Sequence, residues 1–354
     1  MAPDLTGARV HGGPVAAELA ALGFAPRDVV DLSVNVNPYG PAPAVLEAAR
    51  GAALDRYPDA GATAVREALG ARFGRAPGEV LFAHGAAELL WDLARHLARG
   101  RVRTLVVEPA FSELRAGLAA SGAEVVAWRA DPGRGLAVDV EAVAEAIARS
   151  GAGAAYLAAP TSPTGAPVPA ADVAWLARAR EGALVVLDES FLALSDRHAD
   201  ADVPLPPNVV RLRSMTKDHA IPGLRVGYLL GPAALVAALD AARPAWSTSA
   251  PAQAAALAAL GEEAFVAASR ERLRLDREAM LAGLTRLGFA PLPSVAPYLA
   301  FPADDAAALR RRLLALRVLV RDCASFGLPG FVRVAARPEA EREALFAALA
   351  REIP

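Results

Sequence analysis

From Ala86 to Leu212 short aliphatic, β-branched runs alternate with alanine-rich stretches, and that alternation leaves few folds open. Thr104–Val107, Glu124–Trp128, Ala154–Leu157, Leu184–Leu187 and Val209–Leu212 read as buried strands. Ala86–Arg99, Val138–Arg149 and Ala170–Arg180 read as the helices before or between them. Strands apolar at successive positions are covered on both faces, so the expected architecture is α/β, a mostly parallel sheet with helices on either side. Ligands in such sheets sit at the carboxyl ends of the strands, where loops leave for the next helix.

After about Ala250 the pattern changes to long helices, Ala252–Leu260 and Glu262–Leu287, with short strands near Tyr298–Phe301 and Phe331–Val334. This reads as a second, smaller α+β domain. The first forty or so residues are a glycine- and proline-punctuated arm with one helix, Val15–Leu22, expected to pack on the small domain or on a neighbouring subunit. The expected division is 1–42 for the arm, 43–248 for the large domain and 249–354 for the small one. An apolar content of 54% supports burial on that scale. A net charge of −2 argues against nucleic acid as the main partner, and a lone cysteine, Cys323, excludes an intrachain disulfide and a zinc-finger framework. No apolar run reaches a membrane span and the start lacks a signal peptide's pattern, so a cytoplasmic enzyme is expected.

The chain has one lysine, Lys217; the rest of its 37 basic residues are arginine. Arginine stays protonated, whereas a lysine amine can be deprotonated by its surroundings and act as nucleophile or base. Four further features fall in the loops after strands. Gly85-Ala86-Ala87 opens a helix, where free N–H groups and the macrodipole favour an anion, although many helices begin this way without a ligand. Phe111 follows a strand and can lie over a planar ligand or simply pack in the core. Ser162 sits in the turn Pro160-Thr161-Ser162-Pro163-Thr164-Gly165, which proline and glycine alone would explain. Asp188 ends an aliphatic strand and, if buried, needs a cationic partner. Around the lysine, Ser214, Thr216 and Arg225 could clamp a phosphate and leave the amine free to form an imine. Taken together these supply a phosphate cradle, an aromatic plate, a buried acid and a single amine, which is the set pyridoxal phosphate requires.

Ser214-x-Thr216-Lys217 followed by Gly223-Leu224-Arg225-x-Gly227-Tyr228 resembles the class I/II aminotransferases, fold type I of the pyridoxal phosphate enzymes, and the resemblance runs over nearly the whole chain. It implies a seven-stranded, mostly parallel sheet in the large domain and pyridoxal 5'-phosphate as cofactor. Lys217 would carry the cofactor and shuttle protons, Asp188 would pair with the pyridinium nitrogen, and Phe111 would stack on the ring. Gly85, Ala86, Ala87, Ser214, Thr216 and Arg225 would hold the phosphate. Tyr57 matches a tyrosine that reaches the phosphate across a dimer interface, so a homodimer with shared sites is implied.

Within the superfamily the chain is similar to the branch of histidinol-phosphate aminotransferase and L-threonine-O-3-phosphate decarboxylase. His11-Gly12-Gly13, Ser33-Val34-Asn35-Val36-Asn37-Pro38 and Val320-Arg321-Asp322-Cys323 lean toward the decarboxylase. Arg333 matches an arginine that binds the substrate carboxylate, with Arg321, His11 and Asn35 as further substrate contacts. The expectation is therefore decarboxylation of threonine phosphate in cobalamin biosynthesis; the alternative is amino transfer of the histidinol-phosphate type with 2-oxoglutarate and glutamate. Three departures bear on this. Ser162 stands where relatives carry an asparagine that donates to the cofactor, Ala87 stands where they often have a polar residue, and Trp246-Ser247-Thr248-Ser249 lacks their asparagine. A dinucleotide-binding dehydrogenase is disfavoured because no Gly-x-Gly-x-x-Gly follows a strand. A cofactor-binding regulator is disfavoured because the arm is too short and too neutral for a DNA-binding domain.

Overall fold

The computed structural model describes residues 11–352. A short strand, β1 (Val30–Asp31), precedes a large sheet built from β2 (Val80–Ala83), β3 (Thr104–Glu108), β4 (Val125–Arg129), β5 (Ala154–Ala158), β6 (Leu184–Asp188), β7 (Val209–Ser214) and β8 (Gly227–Leu230). Their order is β2-β8-β7-β6-β5-β3-β4; β8 runs antiparallel to both its neighbours and the other pairs are parallel. The five strands expected from the aliphatic runs are present within two residues of their expected ends. The flanking pair β2 and β8 carries four residues each, too few for a periodic signal.

Alternate residues of each strand enter opposite cores. Val106, Tyr156, Val186 and Leu212 pack with Leu89, Leu93 and Leu114 on one face. Leu105, Leu157, Val185 and Leu187 pack with Ile147, Val173 and Leu176 on the other. Burial of both sets explains why these strands read as unbroken apolar runs.

Helix starts follow local chemistry: Asp139 accepts from Ala142 N at 3.0 Å to open Val140–Ser150, and Ser249 accepts from Ala252 N at 3.3 Å to open Ala250–Ala259. The expected helix Glu262–Leu287 spans Glu263–Arg286, and the arm helix Val15–Leu22 spans Ala16–Ala21. Beyond it an antiparallel sheet of order β11-β12-β9 forms from β9 (Tyr298–Pro302), β11 (Arg321–Asp322) and β12 (Phe331–Ala335), with β10 (Val318–Leu319) pairing in parallel with β1. The arm is thereby tied to the C-terminal elements, and Arg310 adds a two-pronged ion pair to Glu18 at 2.6 and 2.7 Å. Among the described residues no helix is long and apolar enough to cross a membrane.

Two features of this frame position loops at the sheet's carboxyl edge. First, the chain leaves β3 outward to β4 and returns to β5 on the other side of β3, so a crevice opens between the ends of β3 and β5. Second, Glu189 follows Asp188 and turns to the opposite face, where Arg211 donates to it at 2.7 and 2.9 Å and Arg213 at 2.6 Å. All three side chains are buried, so the cluster locks the end of β6 to β7. Glu189→Ala would leave two guanidinium groups without their carboxylate and should cost about 3–5 kcal/mol, read as a lower midpoint in chemical unfolding.

Candidate active site

A cavity of about 300 Å³ opens at the carboxyl ends of β3, β5, β6 and β7. Its floor and walls carry nearly every residue singled out from the sequence: Phe111, Ser162, Asp188 and Lys217 from the strand ends, and Ala86 and Ala87 from the helix start. Ser214, Thr216 and Arg225 line it on the side of β7, and His11, Asn35, Arg321 and Arg333 close it from the arm and the C-terminal sheet.

Lys217 lies in a one-turn helix, Met215–Asp218, directly after β7. Its Nζ donates to Ser214 Oγ at 3.1 Å, and Ser214 Oγ lies 2.6 Å from Thr216 Oγ1. Burial lowers the amine's proton affinity below that of an ordinary lysine, opposed by Asp188 and Asp218 and aided by Arg225 and Arg333. The Phe191 ring lies 5.3 Å from Nζ. Asp188 is buried and takes two donors, Tyr156 Oη at 2.9 Å and Ser190 N at 2.9 Å. The cationic partner that burial led us to expect is not at ion-pair distance among the described residues.

The anion cradle is built from close backbone approach. A Cβ on Gly227 would fall 2.7 Å from Ala86 N and 2.9 Å from Gly85 C, so β8 can reach the helix start only with glycine there. Gly85 itself has φ +85°, and a Cβ on it would fall 2.8 Å from Arg225 Nη2. Arg225 is thus laid across the bare Gly85, beside the first N–H groups of Ala86–Arg99. Its backbone is left-handed (φ 55°), and its Nη1 donates to Pro222 O at 3.0 Å.

The opposite wall is cationic. Arg333 is buried between the rings of Tyr298 and Phe326, at 5.3 and 5.2 Å, and donates to Ser33 O at 2.9 Å and to Ser162 Oγ at 3.4 Å. Arg321 is also buried, donates to Ser325 Oγ at 2.6 Å and lies over Phe326 at 5.1 Å. Burial, with repulsion from Arg333, pushes its pKa down to about 10. Asn35 is buried at 6% exposure with both amide atoms unpartnered, which marks a polar contact that a ligand would complete. His11 approaches Glu113 at 3.1 Å and tilts over Phe111 with ring centroids 5.9 Å apart.

Tyr57 stands apart from the cavity. It is 77% exposed and stacks on Trp246 at 4.6 Å, with exposed Leu54 nearby in sequence. Two residues near the centre were not singled out from sequence. Tyr156 lies one strand from Asp188 and two residues before Ala158, its register partner, so the period of two marks it. Phe191 carried no such signal.

Pyridoxal phosphate fits these groups: a glycine cradle under Arg225 for its phosphate, a buried carboxylate without an ion-pair partner among the described residues, an aromatic plate and one lysine amine. A class I/II aminotransferase fold is thereby defined, and the comparisons agree. The family model described as "Aminotransferase class I and II" matches residues 27–349, and the chain belongs to that family. It is a pyridoxal-phosphate-dependent enzyme. It is 37% identical to a histidinol-phosphate aminotransferase of Symbiobacterium thermophilum, over 96% of this chain and 95% of the relative. Histidinol-phosphate aminotransferase 1 of Thiobacillus denitrificans is 34% identical over 91% of this chain and 85% of its own. Among solved structures, histidinol-phosphate aminotransferase from Sinorhizobium meliloti in complex with pyridoxal-5'-phosphate superposes with a TM-score of 0.84 at 26% identity, covering 99% of this chain and 97% of that one. L-threonine-O-3-phosphate decarboxylase from Porphyromonas gingivalis shares the fold, with a TM-score of 0.78 at 23% identity over 91% of this chain and 98% of its own.

Two outcomes follow from this geometry. Gly85→Ala forces a side chain into a left-handed backbone and displaces Arg225, so the affinity for pyridoxal phosphate should fall about tenfold or more, measured by titration of the apoenzyme. In the cofactor-free protein the lowered pKa leaves more of the Lys217 amine neutral at a given pH. Acylation of Lys217 should therefore persist at a lower pH than for a free lysine side chain, followed by peptide mapping, and fade on further acidification.

Proposed function

We propose that the protein is an aminotransferase acting on a phosphorylated amino compound of the histidinol-phosphate type, with 2-oxoglutarate and glutamate as the other pair. The observation that carries this reading is the near full-length likeness to relatives named histidinol-phosphate aminotransferase, at 37% and 34% identity. The cationic wall of Arg321 and Arg333 facing Lys217 suits an anionic amine. Decarboxylation of threonine phosphate, the first expectation from sequence, takes second place, because the decarboxylase neighbour at 23% identity speaks only to the fold. What favours that second reading is His11, held over Phe111 at the cavity mouth by Glu113.

The bound cofactor supplies an aldehyde for the substrate amine and a ring that accepts the electrons left at the α-carbon. Arg225, Ser214, Thr216 and the N–H groups of Ala86 and Ala87 hold its phosphate, and Phe111 covers the ring. Asp188 holds a positive charge at the ring nitrogen. Lys217 Nζ, its proton affinity reduced by burial, would act as the base that takes the α-proton and holds it for return. Arg333 and Arg321 hold the substrate's anionic group, and Asn35 supplies one donor and one acceptor beside them. The exposed Tyr57–Trp246 pair fits a homodimer in which Tyr57 of each copy reaches the other's phosphate site.

Glutamate should appear when the holoenzyme is given histidinol phosphate and 2-oxoglutarate, with no carbon dioxide from threonine phosphate. The reverse pattern would replace the aminotransferase by the decarboxylase, and the absence of both products would sink the branch. Lys217→Ala should abolish the visible spectral change on adding cofactor. Arg333→Ala removes a charged contact of about 1.5–3 kcal/mol, so kcat/KM should fall about ten- to hundredfold.

A further inference from the structure

Asp188 is an unusual buried carboxylate. It is 6% exposed, yet its partners among the described residues are two neutral donors rather than a cation: Ser190 N on Oδ1 and Tyr156 Oη on Oδ2, each at 2.9 Å. The first of these belongs to the turn that follows β6 and comes with the backbone. The second does not. Tyr156 reaches Asp188 from the neighbouring strand: in the parallel register of β5 and β6, Tyr156 pairs with Val186 and Ala158 with Asp188. Its side chain therefore lies on the same face as Asp188, one pleat back from the cavity. The ring is fully buried in the core with Val106, Val186 and Val210, so the hydroxyl has one place to go.

We infer that Tyr156 is a positioning residue for the cofactor's ring proton: its hydroxyl fixes Asp188 and stabilises that carboxylate's charge, so that a ring nitrogen set against Asp188 keeps its proton. The inference rests on the reading of Asp188 as the partner of that nitrogen. With one donor on each oxygen, rotation of the carboxylate about Cβ–Cγ is blocked, and each oxygen keeps a free lone pair. The hydroxyl is a dependable donor, because burial and the adjacent Asp188 raise its pKa well above that of an ordinary phenol. Take the hydroxyl away and the charge on Asp188 rests on Ser190 N alone. A proton shared between the ring nitrogen and the carboxylate then moves toward the carboxylate, and the ring becomes a poorer acceptor of electrons. No atom is transferred to or from Tyr156; it acts through Asp188.

Tyr156→Phe refills the same buried space and deletes only the donor. In holoenzyme loaded with cofactor carrying a nitrogen label in its ring, the nitrogen NMR signal of Tyr156→Phe should move toward the neutral-ring position. kcat should drop about fivefold to tenfold, the equivalent of one lost hydrogen bond, with KM unchanged. Tyr228→Phe removes a buried hydroxyl whose partner is Arg213, so it gauges the stability cost alone and should leave the nitrogen signal in place. Asp188→Asn provides the third arm. If it moves the signal and Tyr156→Phe does not, Tyr156 is only a core residue and the reading of Asp188 stands. If neither variant moves it, Asp188 does not face the ring and both assignments fall.

Discussion

Among the described residues, four cationic side chains, Lys217, Arg225, Arg321 and Arg333, share one cavity with a single lining carboxylate, Asp188. At low effective dielectric like charges repel strongly, so such a set is tolerated only if each cation is otherwise compensated or the site is built to receive anions. Both hold here. Lys217 sheds part of its proton affinity, and Arg333 lies between two aromatic faces and donates to a main-chain carbonyl. The remaining excess of positive charge suits a phosphate-bearing cofactor and the anionic substrate proposed above. Much of the surrounding structure serves to hold these cations in place.

That service falls on the segment 31–37. Arg337 donates to the carbonyls of Asp31, Val34 and Val36 at 2.9–3.0 Å, and Arg333 takes Ser33 O. At its far end Asn37 donates its main-chain N–H to Lys217 O at 3.0 Å and its side-chain amide to Asp218 O at 3.0 Å. One short stretch thus spans from the C-terminal sheet to the lysine helix, with Asn35 exposed to the cavity midway. Ala335 of β12 also donates its N–H to Leu32 O at 2.9 Å, so a small displacement of β12 would be felt at Lys217 through this stretch.

The parallel strands were legible because burial on both faces leaves an unbroken aliphatic record, as in Leu184–Asp188. β2 and β8 were not, since four residues fit many patterns; what marks them is Gly227, whose lack of a side chain matters only once the helix start at Ala86 is opposite it. Lys217 with Ser214, Thr216 and Arg225, together with Asp188, Phe111, Ser162 and Gly85–Ala87, was readable from position at or after strand ends, whereas His11, Asn35, Tyr57, Arg321 and Arg333 came only from the family resemblance. The cavity collects all of them but Gly85, which lies beneath Arg225, and Tyr57. Tyr57 instead lies exposed against Trp246, and the role across a dimer interface that the resemblance implies is one a single chain does not display. Tyr156 escaped because a tyrosine inside an apolar run reads as core, and its hydroxyl acquires meaning only from a register between strands that sequence does not print.

Ser162 carries the last step. An asparagine at this position would extend an amide toward the cofactor, while the serine hydroxyl is shorter and lies instead against Arg333 at 3.4 Å. Behind it Tyr298 donates to Thr161 O at 2.8 Å and stacks beside Arg333, so the turn after β5 and the arginine of β12 support one another. The serine therefore places its polar contact on Arg333. A hydroxyl that accepts from Arg333 still has its own hydrogen to give. The same hydroxyl can therefore accept from the arginine and still donate to a second partner. Loss of the asparagine is in this sense a redistribution of hydrogen bonds around Arg333.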